Sequence, residues 1–458
     1  MISRIAPLVA IVLICTACSA PPASPVASSS PGGAATPTPS PALSTEWTEY
    51  HRDAGRSGLG PAVPALAAPQ TAWTASVDGD VYASPLIVAG HVIVATENNT
   101  VYSLDLFTGG VIWKIHLGQP VDASSLPCGD IGPVSGITGT PAADTASGLV
   151  YVVAFLAGRH HMLFALSLVN GVVASQQDID PTGSSPAAQQ QRGALAVGGG
   201  FVYVPLGGLY GDCGPYHGYV VAVPRAGGAA LTYRVPSARG AGIWSAAGVT
   251  LDASGNVYAV TGNGASTSTF DSSNAVVELS PDVQRVESYF APVNWIALNE
   301  GDVDLGALGV TLVGGFALAV GKDGVAYLLR AGQLGGVGGQ VARLGLCAGA
   351  FGGSASVGST VFVPCTDGLY AVSVSAGGGL GIAWVARHPK LGSPIVAAGA
   401  VWAIEPASAM LYALDPSNGG VLFSMNLPGA EHFSTPAATE GFVVAPAGRA
   451  IVAVATAG

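Results

Sequence analysis

Four residues between Gly242 and Lys322 are of types that can do chemistry together. Trp244 offers a flat aromatic face able to stack a planar ring. Asn263, in Thr261-Gly262-Asn263, offers the carboxamide oxygen that hard Ca²⁺ accepts. Asp304, in Asp304-Leu305-Gly306, can take a proton, and the Lys322 ammonium can stabilise negative charge developing on an oxygen. Each has a structural role open to it as well. Trp244 could be sheet packing, Asn263 a turn residue, Asp304 a strand-start cap, and Lys322-Asp323-Gly324 a hairpin turn.

The remaining reactive side chains point to scaffolding. Cys128, Cys213, Cys347 and Cys365 lie beyond the signal region, and four cysteines allow three pairings. The spacing favours Cys347–Cys365 within one repeat and Cys128–Cys213 between neighbouring repeats, as staples in an oxidising compartment. His160-His161 is expected in an inter-strand loop, and His217 beside Cys213 in loop packing. There is no GxSxG elbow, and the glycine triplets lack the following helix that phosphate binding needs.

The elements that must position these groups are short strands. Gly90 to Gly118 reads as three in succession, with turns at Glu97-Asn98-Asn99 and Thr108-Gly109-Gly110. The second, an apolar–small or polar–apolar triplet, recurs eight times from Tyr102-Ser103-Leu104 to Val452-Ala453-Val454, at spacings that shorten from 62 to 40 residues. A small-residue start precedes each copy, from Ser84-Pro85 to Thr435-Pro436, as suits innermost strands crowding round an axis. The expected fold is all-β: an eight-bladed β-propeller of four-stranded antiparallel blades. Thr71 to Val77 looks like an outer strand with no blade before it, and the last repeat lacks one. The N-terminal strand is therefore expected to complete the last blade and close the ring.

Composition agrees. The chain is 49% hydrophobic and 9% charged with 65 glycines, which suits turn-dense β structure. The apolar stretch Leu305 to Gly321 is in register with two blade strands and is read as buried sheet. The net charge of -11, with no basic cluster, argues against nucleic acid as a partner.

Residues 1–18 read as a lipoprotein-type signal peptide, with Arg4, an apolar run, and Cys15-Thr16-Ala17-Cys18 at its end. Cys18 would carry the lipid and anchor the protein to the outer face of the cytoplasmic membrane or another envelope membrane. Residues 19–46 are a Ser/Pro/Ala/Thr linker expected to be disordered. Residues 47–458 form the propeller, with 47–70 as a lead-in packed on it.

The repeats resemble those of the quinoprotein alcohol dehydrogenase-like propellers, over about residues 47–458. The resemblance implies that Trp244 would form the floor beneath pyrroloquinoline quinone, Asn263 would bind calcium, Asp304 would be the catalytic base and Lys322 would contact the quinone. The family's calcium-binding glutamate has no clear counterpart; Gly207 to Gly218 offers only Asp212. The adjacent-cysteine pair and a CxxCH haem motif are absent from the sequence. The superfamily also holds non-enzymatic members, including the outer-membrane assembly lipoprotein of Gram-negative bacteria. Two readings follow: a lipid-anchored binding or scaffold module, taking a protein or small molecule on its loop face or central channel, or an exported quinone- and calcium-dependent oxidoreductase of alcohols or sugars.

Overall fold

Every copy of the recurring triplet becomes the third strand of an antiparallel sheet in the computed structural model, which describes residues 45–62, 64–387 and 391–457. Residues 1–44, which hold the expected signal segment with Cys18 and most of the expected linker, lie outside the described residues. In the first blade the strands are Leu86–Val88, His91–Ala95, Thr100–Asp105 and Val111–His116, paired in chain order. Eight such sheets form the propeller, and two of them gain a fifth strand, one at its rim. The second and third strands are buried on both faces because blades stack face to face, so their residues are apolar without alternation. Outer strands face solvent and alternate; Val111–His116 buries only Trp113. Leu305 to Gly321 contributes Thr311–Val313 and Phe316–Val320 to one sheet. Among the described residues no helix is long and apolar enough to cross a membrane.

Outer-strand tryptophans join blade to blade. Trp113 Nε1 donates to the Leu168 carbonyl at 3.0 Å, and Trp384 Nε1 to the Pro416 carbonyl at 2.8 Å. Their rings lie against Gly171 and Gly419, where an added Cβ would come within 2.5 and 2.7 Å of the indole. Both glycines also have positive φ, so the turn requires glycine twice over. The strand Gln70–Ser76 pairs antiparallel with Ala450–Ala455 at the outer edge of the last sheet. Its Trp73 donates to the Leu106 carbonyl at 2.7 Å and packs on Gly109 of the first blade.

The small-residue starts crowd the axis as anticipated. Ser84 N–H donates to Thr140 Oγ1, and Gly353 N–H to Ser393 Oγ, both at 2.9 Å. The lead-in does more than pack on the domain. Its backbone or Glu49 carboxylate bonds the innermost strands at Ile87, Ala143, Val197, Leu251, Ser356 and Val396, in six different blades. Arg56 is buried at the axis, donating to the Val249 and Leu195 carbonyls and to Glu49 at 3.1 Å. Tyr50 and His51 are buried beside it. About 10 Å³ of free space separates Tyr50 from the layer of Arg192 and Phe433 above it. The axis is thus filled, leaving the opposite, loop-bearing end as the accessible one.

Candidate functional site

At that open end, hairpins and inter-blade connections surround a pocket of about 400 Å³. Three of the four residues singled out above line it with their side chains: Trp244, Asp304 and Lys322. Trp244 lies in the connection into the fourth blade, Asp304 in the connection into the fifth, and Lys322 in the hairpin between Phe316–Val320 and Val325–Arg330. Asp304 is buried, and its carboxylate holds the site together. Oδ1 accepts the Asn263 N–H at 2.5 Å, and Oδ2 pairs with Lys322 Nζ at 2.6 Å. A Cβ on Gly262 would come within 2.5 Å of Asp304 Oδ1 and 3.1 Å of Trp244 Nε1, so only glycine lets the two close over that strand end.

Burial pushes the Asp304 carboxyl above the ordinary carboxylate range even with the ammonium beside it. Burial opposes the charge on Lys322 too, but Asp304 and Asp302 hold its pKa above the usual lysine value. Asp302 accepts from Nζ through both Oδ1 and its carbonyl at 3.2 Å. The ammonium also lies 5.7 Å from the centre of the Trp244 ring, within cation–π reach.

The calcium set expected from Asn263 and Asp212 is not assembled. Asp212 accepts a hydrogen bond from the Tyr216 hydroxyl, and Asp304 is taken by Lys322 and the Asn263 main chain. Asn263 serves through its backbone, its carbonyl also accepting from Ala241 N–H at 2.6 Å. A dication wants several converging oxygens, and both Asp304 oxygens already have partners in Lys322 and the Asn263 N–H. Among the described residues, groups of three metal-type side chains occur elsewhere: Cys347, Cys365 and Asp367, and His160, Asp178 and Asp180. The latter corrects the expected loop position of the histidines, since His160 opens the strand His160–Ser167 and its Nδ1 lies 3.1 Å from Asp178.

The far wall of the pocket escaped sequence reading. Arg192 Nη2 pairs with Asp130 at 2.8 Å, its Nη1 lies 3.2 Å from His432 Nε2, and its guanidinium lies 5.5 Å from the Phe433 ring centre. His432 Nε2 lies 3.3 Å from Asp130. Burial works against the Asp130 charge, yet His432 and Arg192 hold its pKa down at about 2. Phe351 and Phe433 each lie 6.5 Å from Trp244, making three aromatic walls. A repeat-based signal for these residues existed. Arg192 precedes Gly193-Ala194 as Trp244 precedes Ser245-Ala246, and Phe433 lies two residues before Thr435-Pro436. The segments leading into three of the innermost strands thus supply Arg192, Trp244 and Phe433 to the pocket lining.

Both cysteine pairs form as expected. Cys128–Cys213 and Cys347–Cys365 have Cα–Cα distances of 6.0 and 6.2 Å. The first ties down the loop that carries Asp212.

Residues 62–305, more than half of the chain, match the family model described as outer membrane protein assembly factor BamB. No curated protein matches the sequence. Among solved structures, the quinohemoprotein alcohol dehydrogenase from Comamonas testosteroni superposes with a TM-score of 0.73 at 16% identity, covering 91% of this chain and 81% of that one. Quinohemoprotein alcohol dehydrogenase ADHIIG from Pseudomonas putida HK5 gives 0.72 at 14% identity, over 90% and 80%. BamB from Moraxella catarrhalis gives 0.57 at 14% identity, over 85% and 98%. At such identities these likenesses speak to the fold.

Proposed function

The chain belongs to the PQQ-repeat β-propeller family described as outer membrane protein assembly factor BamB, and from that membership we propose that it is a binding module, exported and lipid-tethered, whose pocket takes a neutral polyhydroxylated small molecule. The observation that carries this reading is the lining of the pocket. Asp130, Asp212, Asp302 and Asp304 outnumber the cations Arg192 and Lys322 around the face of Trp244. Burial raises the Tyr216 pKa, and the charges of Asp212 and Asp304 push it the same way, a sign of negative potential in the pocket. Such a lining repels polyanions, while hydroxyl groups can both donate to carboxylates and accept from Lys322 and Arg192. The apolar face of a sugar ring suits Trp244.

A second reading rests on the convergence of Trp244, Asp304 and Lys322 in one pocket: an exported quinone-dependent oxidoreductase of alcohols or sugars. Trp244 and Lys322 would hold the ring and one carbonyl of pyrroloquinoline quinone. The quinone carries carboxylates of its own, and the lining of the pocket is net acidic. Titration of the purified protein with sugars and with the quinone, each with and without Ca²⁺, separates the two. Tryptophan fluorescence should respond to a sugar and lose that response in Trp244→Ala. Stoichiometric quinone binding with dye reduction by an alcohol would overturn the binding-module reading in favour of the second.

A further inference from the structure

Beside the polar pocket lies a second chamber of about 310 Å³, lined chiefly by Pro364, Leu391, Pro406 and Ala407. The two chambers share Phe351, His432 and Phe433, so one begins where the other ends. Their chemistry differs sharply. The first is ringed with carboxylates and cations; the second has Thr366 and His432 at its margin and apolar groups elsewhere.

Phe433 is the partition. Its φ is 67°, a left-handed conformation that bulky side chains rarely adopt and that persists only where the surroundings fix it. Here the Arg192 guanidinium, the edge of His432 at 5.1 Å and the Thr435 hydroxyl on its carbonyl at 2.9 Å fix it. The ring is thereby held at the boundary of both chambers. A free small molecule would find few polar groups in the apolar chamber to orient it. An apolar extension of a ligand already anchored next door needs none.

Resting on the polyol reading of the first pocket, we propose that the ligand is an amphiphile of the alkyl glycoside or glycolipid class. Its polyhydroxylated head lies against Trp244, and its apolar tail passes Phe433 into the chamber of Leu391 and Pro406. The head supplies orientation, and the tail adds affinity by leaving water.

The test compares methyl and octyl β-glycosides of glucose, galactose and mannose, below micelle-forming concentrations, by calorimetry on the full mature protein. The octyl form of the preferred sugar should bind roughly tenfold tighter or more than its methyl form. Ala407→Trp, at the exposed rim, should abolish that gain and leave the methyl glycoside unaffected, and Thr366→Trp from the opposite rim should do the same. Circular dichroism of both variants should match the parent. Equal binding of methyl and octyl forms would overturn the tail and leave the head reading standing. A gain that survives both tryptophan variants would overturn the chamber as its seat, and n-octanol binding as tightly as the octyl glycoside would overturn the need for a head. Failure of every glycoside would sink both readings together.

Discussion

Asp304 and Lys322 depend on one another. The carboxylate is almost wholly buried, and the ammonium 2.6 Å away works against the rise in pKa that burial causes. Removing one partner of such a pair strands the other in a low-dielectric site, at a cost of about 3 kcal/mol. Lys322→Met should therefore destabilise the propeller by that order in urea denaturation. Adding Asp304→Asn should restore most of the loss, since a carboxamide oxygen can still accept the Asn263 N–H. Losses that simply add would show that the pair is not coupled. The four sequence candidates were visible as residue types, and three of them line the pocket. Arg192, His432 and Phe433 were not, because nothing local distinguishes an arginine or phenylalanine before a small residue from any other. Only the superposition of repeats gives that place a meaning.

At the scale of elements, the lead-in is the least expected feature. A stretch with no repeat of its own bonds the innermost strands of most blades and buries His51. Burial pushes the His51 pKa down to about 3; the hydrogen bond to the Ser354 carbonyl at 3.0 Å works the other way, and the Arg56 charge adds to the depression. The folded form thus binds fewer protons than the unfolded chain between about pH 3 and 6.5. Stability from this residue is complete above pH 6.5 and is lost as pH falls through that window. His51→Phe, which keeps the stack on Tyr50, should flatten the dependence of unfolding free energy on pH between 6.5 and 4. An unchanged slope would show that His51 is not the titrating group. The expectation that this segment packs on the domain followed from its aromatics and charges. Its course across the axis did not, because its partners lie up to several hundred residues away.

For the whole molecule, the proposed tether has a direct assay. If Cys18 carries lipid, the full chain expressed in a bacterial host should incorporate labelled palmitate and partition with membranes, and Cys18→Ser should lose both properties. A parent protein recovered entirely in the aqueous phase would refute the anchor. The propeller itself was legible because its physics is repetitive. Eight copies of a strand pattern, each too small to bury its own faces, must stack, and the pairing of Gln70–Ser76 with Ala450–Ala455 uses the one outer strand left over. The sequence by itself therefore determined the class of fold and the strand order within blades, and favoured the two cysteine pairings that form, since periodicity and turn chemistry are local and recur. Only the tertiary structure decided that the axis is filled by residues 45–60, that Asp304 meets an ammonium and the Asn263 main chain, and that an acid-rich pocket adjoins an apolar one. Those facts arise where six or more connections, distant in sequence, meet round one axis, and no spacing along the chain encodes how close they come.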